Sequence, residues 1–411
     1  MPFKPGAMRT LFLLAFLHAC LFSFAQDRCG SVEYVASIKA ADPLAAKTIA
    51  DAENFLQKRS TTSSVQNRTV APTVIQIPVV VHVIYKNGSD NISEDQIKGQ
   101  IEALNRDFRR KNSDTVNTPA RFRHLAADIQ IEFYLSKADP QGRATSGIIR
   151  RQTSTTNWYN NDKMKYASQG GSDAWDSKNY LNIWVCRMIS GAGYSSVPGS
   201  DPTKDGVVIN VGAFGASASG NYSLGRTATH EVGHWLGLKH IWGDAACGDD
   251  GIADTPQQST YTQNCPTGIR TSCSNSETGD MYMNYMDYTA DACMNLFTLG
   301  QKAKMRAAFD VGGPRESLLE SKGLKEPTLL GSPLPDAKAT TSIYPNPAQG
   351  ELNLNLGVPF IGKTILVVNM NGSVVQTVQI RTAIQKLNLS ALKAGMYFIK
   401  GEGLSEKFIK L

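Results

Sequence analysis

His230, Glu231, His234 and His240 stand in one run, His230-Glu231-Val232-Gly233-His234-Trp235-Leu236-Gly237-Leu238-Lys239-His240. On an α-helix, residues four apart share a face, so His230 and His234 can present two imidazoles to a single metal ion. Gly237 suits the left-handed conformation that ends a helix, which would let the chain swing His240 back towards the same ion. Three imidazoles with an open fourth position are the donor set of a catalytic rather than a structural zinc. Such a zinc polarises a carbonyl and acidifies a water, and the Glu231 carboxylate is placed to take the proton and hand it to a leaving amine. That is amide-bond hydrolysis in outline. Only six histidines occur in the 411 residues, so three of them at these spacings are not what scattered histidines would give. His18, His82 and His124 read as signal, strand and loop residues.

The motif needs elements to hold it. A helical pattern runs from Arg226 to Gly237. Upstream, Ile75, Ile77, Val79, Val81, Val83 and Tyr85 alternate with their neighbours as in a strand. Ser93 and Gln96 have the capping-box spacing, and Ile97, Ile101, Leu104 and Phe108 then form the stripe of an amphipathic helix. Strands are expected from Ile129 to Leu135, Leu181 to Met188 and Val207 to Val211, with a last helix from Leu299 to Phe309. The mixture predicts an α+β domain, a twisted mixed sheet with the motif helix packed on it. The short strand from Val207 to Val211 is expected on the upper rim of the cleft, pairing with extended substrate.

Hydrophobic residues make up 41% and charged residues 19% of the chain, an ordinary globular balance. A net charge of +6 without long Lys/Arg runs or interleaved aromatics argues against a nucleic-acid partner. Residues 1–25 have the form of a secretory signal: Lys4 and Arg9, an apolar run from Leu11 to Phe24, and Ser23-Phe24-Ala25 at the cut. A lipoprotein signal ending at Cys20 is a poorer fit, given His18 and the apolar residues beyond it. No other stretch is long and apolar enough for a transmembrane segment. Residues 26–67, with a helical stretch from Leu44 to Lys58 and a polar tract carrying Arg59 and Arg68, read as a pro-segment with a cleavage tract. A domain over 68–322, a Pro-rich linker over 323–340 and a β-sandwich-like module over 341–411 complete the organisation.

Six cysteines remain once Cys20 leaves. Cys247, Cys265, Cys273 and Cys293 lie close together without C-x2-4-C pairs, so in an exported chain they are expected to form two disulfides, with three pairings open. Cys186 sits in an apolar strand run as a small buried hydrophobe. Cys29, in a polar Asp-Arg-Cys-Gly setting, demands another explanation.

The His230 to His240 run is the metzincin signature, and the Met-turn that should follow stands at Asn284-Tyr285-Met286-Asp287-Tyr288. The block from His230 through Thr298 resembles the pappalysin family of metzincins, especially its smaller bacterial members. The resemblance covers about two-thirds of the chain. It implies a secreted zinc metalloendopeptidase acting on protein and peptide substrates, with Met286 as an apolar floor beneath the ligands and Tyr288 as a hydroxyl that stabilises the tetrahedral intermediate. It also implies disulfides joining Cys247 to Cys273 and Cys265 to Cys293. Asp291 matches the family position at the bottom of the pocket for the residue after the scissile bond, where a buried carboxylate would favour Arg or Lys; a plain loop carboxylate is the alternative. The segment from Gly248 to Thr255 looks like the family's calcium loop, with Asp250 and Thr255 as oxygen ligands, although solvated turn carboxylates would read the same.

Cys29 then gains a role. Its thiolate could occupy the fourth zinc position in a latent precursor, as in the cysteine switch of related precursors, with Asp27 as the other candidate. The tail, opening on Ile343-Tyr344-Pro345-Asn346-Pro347, resembles a type IX secretion sorting domain, which makes that machinery the expected partner; a carbohydrate-binding or adhesive module is the alternative. The protein is expected to act as a monomer. Two other functions compete: a binding or adhesin protein on a dead protease scaffold, against which the intact His and Glu residues count, and a zinc hydrolase of non-peptide amides, against which the Met-turn counts.

Overall fold

The computed structural model describes residues 28–63, 74–216, 220–327, 342–356, 360–382, 384–401 and 404–411. The expected signal segment over 1–25, Asp27 and Arg68 lie outside the described residues.

Two helices open the chain, α1 (Ser31–Ala41) and α2 (Pro43–Ser63). Pro43 keeps Asp42 extended and so separates them. Asp42 caps the second, its carboxylate accepting from the Leu44 and Ala45 amides at 2.8 and 3.2 Å. The sequence reading expected only the second helix.

The sheet is built on β1 (Ile75–Tyr85), which is buried on both faces over most of its length. β2 (Ile131–Leu135) and β3 (Ile148–Gln152) pair in parallel with its first and second halves along one side, and β4 (Leu181–Cys186) pairs in parallel along the other. Next comes β6 (Val207–Asn210), parallel to β4, and last β5 (Gly193–Ser195), antiparallel to β6 and forming the edge. The expected rim strand is therefore interior. Val207, Val208 and Ile209 are wholly buried, which is the burial of a strand with neighbours on both sides, whereas three-residue β5 carries too little pattern to be read.

Below the sheet lie α3 (Glu94–Phe108) and α4 (Arg226–Trp235), followed by α5 (Leu299–Ala307). Ile97, Ile101, Leu104 and Phe108 all join the core under β1, each stabilising by roughly 1.5–3 kcal/mol. Ser93 accepts from the Gln96 amide at 3.1 Å, but the Gln96 side chain turns away to the Phe214 carbonyl at 2.8 Å, so only half of the expected capping box forms. A second apolar cluster, including Tyr34, Trp158, Trp184 and Tyr194, covers the opposite face of the sheet. That double cover makes the central strands apolar on both sides.

The C-terminal strands form two small sheets. One holds β7 (Ser342–Tyr344), β8 (Glu351–Asn355) and β11 (Ile384–Asn388); the other holds β9 (Thr364–Asn369), β10 (Val374–Gln379), β12 (Gly395–Gly401) and β13 (Leu404–Lys410). Leu352, Leu354, Ile365, Val367, Ile399 and Phe408 fill the space between them. No described helix is long and apolar enough to cross a membrane.

Candidate active site

α4 carries His230 and His234 and stops where the sequence requires. Gly237, at φ 94°, donates to the His234 carbonyl at 2.8 Å, and Leu238 donates to the Gly233 carbonyl at 3.0 Å, the hydrogen bonds of a Schellman cap. The reversal brings His240 back. The three Nε2 atoms lie 3.1–3.2 Å from one another. Each Nδ1 is committed elsewhere: His230 to the Tyr285 carbonyl at 2.7 Å, His234 to the Leu238 carbonyl at 2.8 Å, and His240 to the Asp244 carboxylate. Carbonyls only accept, so the Nδ1 atoms of His230 and His234 carry the protons and the ring lone pairs sit on Nε2. Burial pushes His234 down to about 3 and His230 well below its ordinary range. Neutral lone pairs converging without a proton between them fit a bound cation and little else, and the outer partners fix the rings as metal sites require.

Cys29 completes the group. Its sulfur and the three histidine nitrogens all lie within 4.8 Å of one another, the only such cluster among the described residues. Burial, then the Glu231 charge, push the Cys29 thiol up; a cation among these donors would reverse that and hold a thiolate.

Glu231 is wholly buried, and burial raises it to about 7 against hydrogen bonds from Ser31 and Cys29 and the charge of Arg28. One oxygen accepts from Ser31 Oγ at 2.8 Å, while the other has no partner. The partnered oxygen also meets the Cys29 sulfur at 3.5 Å, which sets the carboxylate beside the histidine cluster, and the buried orphan oxygen is a place for a substrate or water proton. Tyr288 presents its ring edge to His240 at 4.9 Å and its hydroxyl to the Cys29 carbonyl at 3.2 Å. Met286 lies beneath: a Cβ on Gly233 would fall 2.5 Å from its sulfur, so glycine is what lets the Met-turn approach α4.

Asp291 is 1% exposed and is reached by Arg28, the residue before Cys29. One oxygen accepts from the Leu224 and Arg226 amides at 2.9 and 3.1 Å; the other is paired with Arg28 at 2.7 Å. Arg28 also donates to the Thr289 carbonyl and lies over the Tyr222 ring. Arg28 is not legible in the sequence, because nothing local distinguishes it from any arginine beside a cysteine. Nor is Asp107, which ties the Thr229 and Tyr285 hydroxyls together at 2.8 and 2.9 Å and so braces α4 against the Met-turn.

The loop beyond His240 is stapled by two disulfides, Cys247–Cys273 and Cys265–Cys293, and Cys186 is buried in the apolar cluster above the sheet. In the acidic loop, Asp250 Oδ1 accepts from the Ile252 amide and from Thr255 Oγ1 at 3.0 and 2.9 Å, while Oδ2 is buried without a partner. Burial pushes Asp250 up to about 7.

An edge strand beside the metal cluster, a helix ending in a tight reversal, three convergent imidazoles and a buried glutamate together define a metallopeptidase. Comparison with known proteins gives the same class. The pregnancy-associated plasma protein-A peptidase model matches residues 164–310, and a secretion system C-terminal sorting domain model matches residues 342–410. An extracellular metalloprotease of Arthroderma otae is 31% identical over 57% of this chain and 78% of its own length. One from Colletotrichum graminicola is 44% identical, but the match covers 32% of this chain and about half, 49%, of that protein. Promirolysin of Tannerella forsythia, solved as a mutant, superposes with a TM-score of 0.65 at 46% identity, over 71% of this chain and 97% of its own. Mature mirolysin in complex with a cleaved peptide gives 0.59 at 49%, over 61% and 97%. The chain belongs to the pappalysin family of secreted metalloproteases and carries a type IX sorting domain at its C-terminus.

Proposed function

We propose that the protein is a zinc endopeptidase, made as a latent precursor, that cuts peptide bonds preceding Arg or Lys. His230, His234 and His240 would hold the zinc, with Cys29 as the additional ligand in the precursor. When bound, zinc supplies a Lewis acid that polarises the scissile carbonyl and acidifies a water. Glu231 takes the proton from the attacking water on its unpartnered oxygen and delivers it to the departing amine. The Tyr288 hydroxyl, freed from the Cys29 carbonyl, donates to the developing oxyanion. Asp291 holds the guanidinium or ammonium of the residue after the cut bond.

The observation that carries this reading is the path of residues 28–31. Arg28 fills the Asp291 pocket, Cys29 reaches the histidines, Gly30 donates to the Gly193 carbonyl at 2.9 Å, and the Ser195 amide donates to Ser31 Oγ at 2.8 Å. The segment bridges β5 in parallel. A substrate with its arginine in the same pocket and its preceding residues across the histidines runs the opposite way, antiparallel to the edge. The pro-segment therefore imitates substrate contacts with reversed polarity, which supports inhibition without cleavage. The pro-form among its relatives favours the same reading, and the sorting tail favours export by the type IX machinery. A monomeric enzyme is part of the same proposal.

The domain boundaries at 25, 67, 322 and 340 belong to this proposal. Arg59 lies exposed but helical within α2, so a cut before it would need local unwinding. Asp250 Oδ2 fits one donor of a calcium site, with Thr255 beside it.

Mature protein incubated with a peptide library, with and without a zinc chelator, tests the reading. Chelator-sensitive cuts with Arg or Lys at the new N-terminus are expected. Sensitive cuts without that preference would remove the role given to Asp291, and no cuts at all would overturn the peptidase reading.

A further inference from the structure

α1 is anchored by one residue more deeply than its helical pattern requires. Tyr34 is 4% exposed. Its hydroxyl donates to Asp162 at 2.8 Å, its ring meets the Tyr194 ring at 4.8 Å, and the Lys165 ammonium stands 5.1 Å from the ring centre. The residues of this socket are buried and mutually fixed. Lys165 is ion-paired with Asp162 at 2.9 Å, donates to the Lys204 carbonyl at 2.8 Å, and lies 5.1 Å from the centres of the Trp184 and Tyr194 rings as well. Asp162 also accepts from the Tyr194 hydroxyl at 3.1 Å, and its backbone is held at φ 62°, in the left-handed region that disfavours a side chain. Nothing in the peptide-cutting machinery uses this group. A buried ammonium and carboxylate walled by aromatic rings are costly to retain for packing alone, since an apolar replacement would serve as well.

The socket belongs to the enzyme body, but its occupant belongs to the pro-segment. Tyr194 is the middle residue of β5, the edge to which residues 29–31 are bound. The pro-segment runs from the Asp291 pocket at Arg28, past the histidines at Cys29, to Tyr194 at Tyr34. The socket therefore lies along β5 beyond the metal cluster from the Asp291 pocket, on the face of the sheet turned away from α4.

We infer that, once the pro-segment leaves, the Asp162–Lys165–Tyr194 socket becomes a substrate subsite on the N-terminal side of the scissile bond, selective for a tyrosine side chain. The carboxylate takes the phenol hydroxyl as a charge-assisted hydrogen bond, and the ammonium lies by the ring face. Tyrosine is thus preferred to phenylalanine, and phenylalanine to leucine. The inference rests on the reading of residues 28–63 as a removable pro-segment.

Two measurements on the mature protein test it separately from that reading. Fluorogenic peptides with Arg after the cut bond carry Tyr, Phe or Leu in turn at each of the preceding positions. The expected result is one position at which Tyr exceeds Leu in kcat/KM by about tenfold or more, with Phe between, and a Tyr194→Leu variant in which that ratio falls to near one. Binding of N-acetyl-tyrosinamide and N-acetyl-leucinamide, followed by NMR, needs no turnover; shifts confined to the tyrosine amide and lost in Tyr194→Leu are expected. Equal rates at every position together with no selective binding would overturn the socket while leaving the peptidase intact. Phe equal to or better than Tyr would overturn the role of Asp162. Selective tyrosine binding by protein that cuts nothing would uphold the socket and count against the peptidase instead.

Discussion

Replacing Arg28 by Ala in the precursor removes the side-chain cation that, among the described residues, is paired with Asp291. Both partners are essentially inaccessible, at 0% and 1% side-chain exposure. Breaking a buried pair from one side costs about 3–5 kcal/mol. The lower end applies, because the carboxylate keeps the Leu224 and Arg226 amides as donors and the emptied pocket admits water. About 3 kcal/mol is a shift of roughly a hundredfold in favour of the open precursor. The assay is the time for purified precursor to develop peptidase activity, with an Arg28→Lys control that keeps the charge but loses the two-pronged guanidinium. Arg28→Ala should activate far sooner than the wild type, and Arg28→Lys in between. If Arg28→Ala stays latent as long as the wild type, Arg28 is a spectator, and latency rests on Cys29 and the two helices.

Glu231→Gln should bind zinc normally by metal analysis yet lose peptidase activity by about three decades or more; substantial turnover by the metal-loaded variant would remove Glu231 as the proton carrier. His82 is wholly buried, hydrogen-bonded to Ser172 and Asn182, and held down to about 4 by burial. The unfolded chain protonates at about 6.5, so this residue's stabilisation is complete above that pH and is lost as pH falls towards 4, by up to about 3 kcal/mol. Denaturant melts at pH 7.5 and 4.5 should show a difference between wild type and His82→Gln that shrinks with acidity, and a constant difference would refute the assignment. Gly233→Ala would ordinarily gain about 1 kcal/mol in a helix, but contact with the Met286 sulfur should turn this into a loss of about 1–3 kcal/mol. Adding Met286→Ala should recover part of it, and additive effects would show that the two do not touch.

The parts legible in the sequence were those with local periodicity or fixed spacing. The strand at β1, the stripe of α3 and the reversal at Gly237 are written in neighbouring residues, and so is the convergence of the three histidines. The misplaced rim strand shows the limit. Val207-Val208-Ile209 announces burial, yet which strand takes the edge depends on the antiparallel return of Gly193–Ser195, whose three residues carry no pattern. Arg28, Asp107 and the Tyr34 socket were invisible for another reason. Each matters through a partner more than a hundred residues away, and spacing along the chain says nothing about such meetings. Gln96 illustrates the same point in small: its local partner was the helix cap, and a distant carbonyl at Phe214 won.

Residues 28–63 grip the enzyme body at several separated places: Arg28 at Asp291, Tyr34 at Asp162, Glu53 at Lys239, Leu56 over Gly237 and Gln57 at the Gly251 carbonyl. A cut in the chain between this segment and β1 breaks none of these contacts. It changes only the bookkeeping of concentration, from a tether that keeps the segment at an effective millimolar level to free solution, where the same ligand is diluted to the level of the protein itself. Activation should therefore have two clocks, one for bond cleavage and a slower one for departure. At high protein concentration the released segment should linger as an inhibitor in trans, so that crowded enzyme stays quiet and dispersed enzyme becomes active.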